Sequence, residues 1–294
     1  MKIAIIGAGS VGAMLASRVI DANLADVVLV DVVPGLAKGK ALDISDARPI
    51  FNSDSRIVGT DDYAEIKGAN IAVITAGLAR KPGMSREDLL QKNSDIIRDV
   101  SNRIKEYCPS SIVIVVTNPL DAMTYLAMKI TGFPHKRVMG MAGVLDSSRF
   151  INIISENGCS IEKDKVFIMG SHGDTMVAIN RSGGLQESAF KKFSELAKQR
   201  GSEVVSYLKT GSAYFAPSAA AFDMLRAILK NEKRTMCVSA YLDGEYGERD
   251  IYIGVPVVLD SSGIRKIVEI TLTAEEIRAF KKSAQEIRKS IEKI

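Results

Sequence analysis

The sequence predicts an α/β protein in which a doubly wound parallel sheet over residues 1–142 is followed by an α+β domain over residues 143–294. Short, continuous, β-branched runs at Lys2 to Ile6, Val27 to Val30, Ile71 to Ile74 and Ile112 to Val116 read as parallel strands covered on both faces. Between the last two, Leu89, Ile96, Ile97, Val100 and Ile104 recur at helical spacing within Ser85 to Tyr107 and line one buried stripe. Strands alternating with helices imply the parallel, doubly wound arrangement.

Beyond Ala142 the texture changes. A helix pattern runs from Val144 to Asn157, a strand from Val166 to Met169, and two more helices from Glu187 to Leu208 and from Ser218 to Leu229. Strand-like runs follow at Met236 to Leu242 and Ile251 to Leu259. The chain closes on Thr273 and Glu276, a capping box, leading into an amphipathic helix through Ile277, Phe280, Ala284, Ile287 and Ile291.

Composition narrows the function. With 294 residues, 46% hydrophobic and 25% charged, the chain can bury a core without staples. A net charge of +4 is small for this length and gives no field directed at nucleic acid. Cys108, Cys159 and Cys237 are far apart and form no CxxC pair, so neither a disulfide framework nor a metal site is expected. No apolar run approaches the ~20 residues that a membrane span needs, so a soluble, cytoplasmic protein is expected.

The first strand runs directly into Gly7-Ala8-Gly9-Ser10-Val11-Gly12, and a helix pattern begins at once. Gly7 permits the tight turn, Gly9 lets a pyrophosphate approach backbone N–H groups, and Gly12 lets helix and strand pack closely. Asp31 ends the next strand, where a carboxylate accepts hydrogen bonds from a ribose and repels a 2′-phosphate. This is a Rossmann-type dinucleotide site, with NAD expected over NADP.

Only two histidines are available as a base near neutral pH. His135 lies in a polar turn, GFPHKR, and reads as a solvated loop residue. His172, in GSHGD, follows a buried strand with small neighbours that leave its imidazole approachable. Asp146 and Arg149 are three apart and share a helix face, as a site pair or as a surface salt bridge. Arg80 and Arg86 flank Lys81-Pro82-Gly83-Met84-Ser85, a segment with the composition either of a moving lid or of a solvated loop.

In this order GAGSVG, Asp31, GLARKPGMSREDL, VTNPLD, GVLDSSRF, GSHGDTM and GSAYFAPSAA resemble the lactate/malate dehydrogenase family, and specifically its lactate-dehydrogenase-like malate branch, over nearly the whole chain. The resemblance implies an NAD-dependent oxidoreductase of the tricarboxylic acid cycle that interconverts malate and oxaloacetate. His172 would be the general base, oriented by Asp146, with Arg149 gripping the carboxylate beside the reacting carbon. Arg86 would polarise the carbonyl, and Asn118 would contact both substrate and cofactor. Asn93, Val116 and Thr117 would complete the nicotinamide side, next to the phosphate-binding loop Gly7 to Gly12. Arg80 matches the family's specificity position and would pair with the second carboxylate of a dicarboxylate. A homodimer or homotetramer is implied, although Gly183 to Glu203 is shorter than the family's usual connection. Tyr214 to Ser218 carries no assigned role. The alternatives are a lactate dehydrogenase of the same family and an NAD- and metal-dependent glycosidase.

Overall fold

The computed structural model describes residues 1–78 and 84–294, with Arg86 described in its backbone alone. The first half runs β1 (Lys2–Ile6), α1 (Ser10–Asp21), β2 (Asp26–Val30), α2 (Leu36–Phe51), β3 (Ile57–Thr60), β4 (Ile71–Ile74), α3 (Arg86–Tyr107), β5 (Ile112–Val115), α4 (Leu120–Thr131) and β6 (Val138–Gly140). The second adds α5 (Gly143–Glu156), β7 (Val166–Met169), β8 (Val177–Asn180), α6 (Glu187–Leu208), α7 (Phe215–Leu229), β9 (Arg234–Asp243), β10 (Arg249–Asp260), β11 (Gly263–Ile267) and α8 (Ala274–Ile291).

Strands β6-β5-β4-β1-β2-β3 lie in that order and pair in parallel. The chain moves outward from β1 to β3, then returns to place β4 on the other side of β1, which opens a crevice between the ends of β1 and β4. Ligands of open α/β sheets bind at such a switch point. Antiparallel β9, β10 and β11 continue the same sheet past β6 through the single pair Gly140 and Ser239, so both halves of the chain share nine strands. β7 and β8 form a separate hairpin.

Alternation along each strand divides the core into two faces. Ile3 and Ile5 pack with Leu15, Val19 and Ile20 of α1 on one side, and Ala4 and Ile6 with Ile97, Val100 and Ile104 of α3 on the other. A third cluster, built on Phe150, Ile153, Ile154, Ile168 and Phe193, joins α5, α6 and β7. Capping boxes at Ser85 with Asp88 and at Thr273 with Glu276 start α3 and α8. Helix α7 begins at Phe215 rather than at Ser218, because Pro217 falls in its first turn, where a missing N–H breaks no intrahelical bond. Strands β3, β6, β8 and β11 and helices α2 and α4 add to the elements read from the sequence.

α1 and β1 pack closely enough that a Cβ built on Gly12 stands 1.9 Å from the Gly7 carbonyl oxygen and 2.7 Å from Thr75 Oγ1. Gly39, inside α2, faces open space, with nothing within 4 Å of such a Cβ. Gly12→Ala is therefore expected to destabilise by about 1–3 kcal/mol through overpacking. Gly39→Ala is expected to stabilise by about 0.5–1 kcal/mol, since alanine is the better helix former. Urea unfolding of the two variants beside the parent checks the opposite signs.

Candidate active site

The glycine loop leaves β1 with Gly7 at φ +109°, a conformation that L side chains rarely adopt. α1 then begins at Ser10 with Gly9 as its N-cap and with no side chain capping it. The first amides of the helix, at Ser10, Val11 and Gly12, therefore lack intrahelical acceptors and present the positive end of the helix dipole. A Cβ on Gly9 would meet nothing within 4 Å, so open space lies against the bare backbone. These features fit a pyrophosphate. The loop itself is held by three neighbours. Asp31 Oδ2 accepts from the Ala8 N–H at 2.7 Å, Lys40 Nζ donates to the Ala8 carbonyl at 2.6 Å, and Thr75 Oγ1 donates to the Gly7 carbonyl at 2.9 Å. Asp31 Oδ1 also accepts from the Val33 N–H. Lys40 was not read from the sequence, because its bond spans 32 residues and no local spacing announces it.

Across the crevice, Thr117 Oγ1 donates to the Ala76 carbonyl at 2.7 Å, and the Val116 N–H donates to the Ile74 carbonyl at 2.9 Å. Asn93 is fully buried. Its Oδ1 accepts from the Leu78 N–H at 2.8 Å while its Nδ2 donates to the Asn118 carbonyl at 2.6 Å, so its amide fastens the end of β4 to the turn after β5.

Asp146 sits in the first turn of α5 with its side chain 2% exposed. The helix N-terminus favours its negative charge. His172 Nδ1 lies 2.7 Å from Asp146 Oδ2, and Arg149 Nη1 lies 3.4 Å from Oδ1. A nitrogen against a carboxylate must carry the proton, which leaves His172 Nε2 as the basic nitrogen of the neutral ring. Burial works against the imidazolium, but Asp146 outweighs it, helped by Asp121, and the His172 pKa is raised despite the opposing charge of Arg149. Burial lowers the Arg149 pKa, while Asp146 pulls it back up. The pair read as either site or surface is thus a buried one. His135, by contrast, is exposed and stacks on Tyr241 at 3.6 Å between ring centroids.

The loop carrying His172 is fastened on several sides. Gly170 exchanges two backbone hydrogen bonds with Gly254 of β10, both at 2.9 Å. The Ser171 N–H donates at 2.6 Å to Ser283 Oγ, which is fully buried in α8. The His172 N–H donates at 3.1 Å to Asp121 Oδ2 in the first turn of α4. A cavity of about 740 Å³ opens beside it, lined by Leu89, Leu120, Asp121, His172, Asp174 and Lys282 among others. Ser218 Oγ accepts from Arg18 Nε and donates to the Phe215 carbonyl, so it is engaged with α1 and its own helix. Arg80 lies outside the described residues, as does the Arg86 side chain, although Arg86 is the first residue of α3. Among the described residues, no group of three His, Cys, Asp or Glu side chains is placed to hold a metal ion.

The arrangement offers a proton acceptor with fixed orientation, a cation beside it for an anionic group, and a phosphate cradle on the same edge of the sheet. Known proteins resemble the chain over its whole length. Residues 1–140 match the lactate/malate dehydrogenase NAD binding domain, and residues 143–294 match the lactate/malate dehydrogenase alpha/beta C-terminal domain. The malate dehydrogenase of Heliobacterium modesticaldum is 47% identical over 300 residues, covering 99% of this chain and 97% of that protein. That of Methanosarcina barkeri is 46% identical, covering 100% and 99%. Among solved structures, malate dehydrogenase from Salinibacter ruber superposes with a TM-score of 0.92 at 42% identity, covering 100% of this chain and 97% of that one. A Cryptosporidium parvum lactate dehydrogenase complexed with lactic acid and nicotinamide adenine dinucleotide reaches 0.93 at 38% identity, covering 99% and 96%. Matched in both halves, the chain belongs to the lactate/malate dehydrogenase family.

Proposed function

We propose that this protein is an NAD-dependent malate dehydrogenase, oxidising (S)-malate to oxaloacetate and running the reverse reaction with NADH. The observation that carries the reading is the 2.7 Å contact between His172 and buried Asp146, with Arg149 on the same carboxylate. Bound NAD supplies the hydride acceptor. Neutral His172 takes the hydroxyl proton on Nε2, and Asp146 holds the ring and stabilises the imidazolium that results. Arg149 pairs with the carboxylate adjacent to the reacting carbon, fixing its position and angle. Asn118 and Arg86 complete the contacts to the reacting oxygen, and Arg80 meets the second carboxylate. Asp31 takes the adenosine ribose, and Gly7 to Gly12 the pyrophosphate. Val116, Thr117 and Asn93 would hold the nicotinamide side of the cofactor, with Asn93 acting through the backbone it fastens. The cofactor half ends and the substrate half begins near residue 142, where Ala142 caps α5.

The protein works as a homo-oligomer in the cytoplasm. α2 supports the first statement: of its 16 residues Ala37 and Ala41 alone are buried, while Leu42, Ile50 and Phe51 are 68%, 77% and 52% exposed. Three free cysteines and no helix long and apolar enough to cross a membrane, among the described residues, fit the second.

Steady-state kcat/KM for oxaloacetate and for pyruvate, each with NADH, tests the assignment. Oxaloacetate is expected to be preferred by roughly a thousandfold, since pyruvate has no second carboxylate for Arg80 to pair with. Arg80→Gln is expected to collapse that ratio; an unchanged ratio would remove Arg80 from the specificity argument. A wild-type preference for pyruvate would overturn the malate reading.

Malate oxidation needs neutral His172, so it should rise as pH climbs through the raised His172 pKa, while oxaloacetate reduction should fall through the same point. The stability contributed by the His172 and Asp146 pair is complete below the ordinary histidine pKa and lost as pH rises through the raised one. Asp146→Asn should move the malate limb to lower pH and reduce kcat by about a hundredfold or more, because the amide can also select the wrong tautomer.

Sedimentation velocity should show a dimer or larger, and a double Leu42→Glu, Ile50→Glu variant should sediment as a lighter species. A parent chain that sediments as a monomer would refute the oligomer.

A further inference from the structure

Asp121 touches the His172 loop but has no part in the reaction as proposed above. It is 5% exposed and stands in the first turn of α4, where it meets the backbone of His172 while Asp146 meets the ring. Its two oxygens are divided between two parts of the second half of the chain. Oδ1 accepts from Ser239 Oγ of β9 at 2.6 Å, and Oδ2 accepts from the backbone N–H of His172 at 3.1 Å. Ser239 is fully buried and is the residue through which β9 pairs with Gly140 of β6. The carboxylate therefore ties the cofactor half to both the sheet and the base-bearing loop of the substrate half.

We propose that Asp121 is a positioning residue for the general base: it fixes the peptide that carries His172 and, as a second negative charge, favours the imidazolium that malate oxidation generates. The inference deepens the dehydrogenase reading and rests on it. Both oxygens face donors, so the ionised form suits the site, whereas a protonated carboxyl would direct its own hydrogen at one of them. Burial nevertheless pushes the Asp121 pKa up to about 6, against the pull of Ser239 and the His172 amide. With His172 neutral, Asp146 has Arg149 as a cationic partner, whereas Asp121 has the neutral donors Ser239 and the His172 amide. With His172 protonated, two negative and two positive charges balance. The wider surroundings are mixed in sign. Asp174 lies on the same loop, Glu87 on α3, and Lys282, Glu286 and Lys289 on α8, all lining the adjoining cavity. Arg200 of α6 repels Arg149.

The test uses the chain's shortage of histidines. In a His135→Gln background a single imidazole remains, and its Cε1–H resonance can be followed by NMR from acid to alkaline pH without substrate. Asp121→Asn should lower the His172 midpoint by about half a unit or more, since removing a nearby negative charge weakens the imidazolium. The pH at which kcat/KM for malate rises should fall with it, and kcat should drop about tenfold through lost positioning. NADH affinity, measured by fluorescence, should stay within about twofold of the parent, given that Asp121 contacts the loop and β9 rather than the glycine cradle. An unchanged His172 midpoint together with an unchanged pH profile would overturn the proposal. Should Asp121→Asn fail to fold, Ser239→Ala decides. Loss of its donor makes Asp121 easier to protonate, so the same shift, smaller in size, is expected, and a parent-like titration would overturn the inference. The NMR readout needs no turnover, so it stands even if the preferred substrate is not malate.

Discussion

The site is built around one carboxylate, Asp146, placed out of water between a histidine and an arginine. An isolated buried carboxylate costs several kcal/mol, and it persists where cations, donors or dipoles replace its hydration. Asp146 has the N-terminal turn of α5, the His172 ring at 2.7 Å and Arg149 at 3.4 Å. That requirement dictates the packing around it. α5 must start close against β7 and β9, and it does: a Cβ on Gly143, its first residue, would stand 2.5 Å from the Ile168 carbonyl oxygen and 2.6 Å from Cys237 Sγ. Ser147, one residue beyond Asp146, accepts the Ile168 N–H at 2.9 Å and tethers the same turn to the same strand.

His172 poses the opposite problem, because it lies on a loop and must be aimed to within a fraction of an ångström. Catalytic geometry held by regular elements is more reproducible than geometry held by loops. Here regular elements hold the loop: β10 through Gly254, α8 through Ser283, α4 through Asp121 and α5 through Asp146. Ser171 and Thr175, on either side of His172, share a 2.7 Å hydrogen bond that closes the loop on itself. The ring keeps its freedom only at Nε2.

Legibility in the sequence followed the range of the contacts. β1 and β4 are visible end to end because both faces are buried and every residue is apolar or alanine, apart from Lys2. β3 carries a glycine and an exposed Val58 and pairs with β2 alone, while β6 has three residues, too few to show a pattern. α4 has nine of its 12 residues buried, so no stripe stands out, and α2 turns its larger apolar residues to solvent, so its stripe points the wrong way. His172 stands out because histidines are scarce, but Asp146 and Arg149, one helical turn apart, read equally as a surface pair, and the family resemblance is what joins them to it. Ser239 and Asp121 are 118 residues apart, and Ser171 and Ser283 are 112 apart; nothing in local spacing could have joined them.

Substrate choice is physically separate from this machinery. In the proposed function His172, Asp146 and Arg149 serve the hydroxyl and the adjoining carboxylate, which malate and lactate have in common. A lactate dehydrogenase sharing 38% of the sequence superposes as well as a malate dehydrogenase sharing 42%, so the backbone does not discriminate between them. Discrimination must come from the group at the far end of the substrate, a second carboxylate against a methyl. A buried carboxylate without a cation is expensive, and so is a buried guanidinium without an anion, which makes a single arginine selective in both directions. In the sequence Arg80 stands in the segment between β4 and α3, far along the chain from Asp146 and His172. On the proposed roles, a substitution at Arg80 changes specificity alone, whereas one at Asp146 weakens the base that both substrates would share.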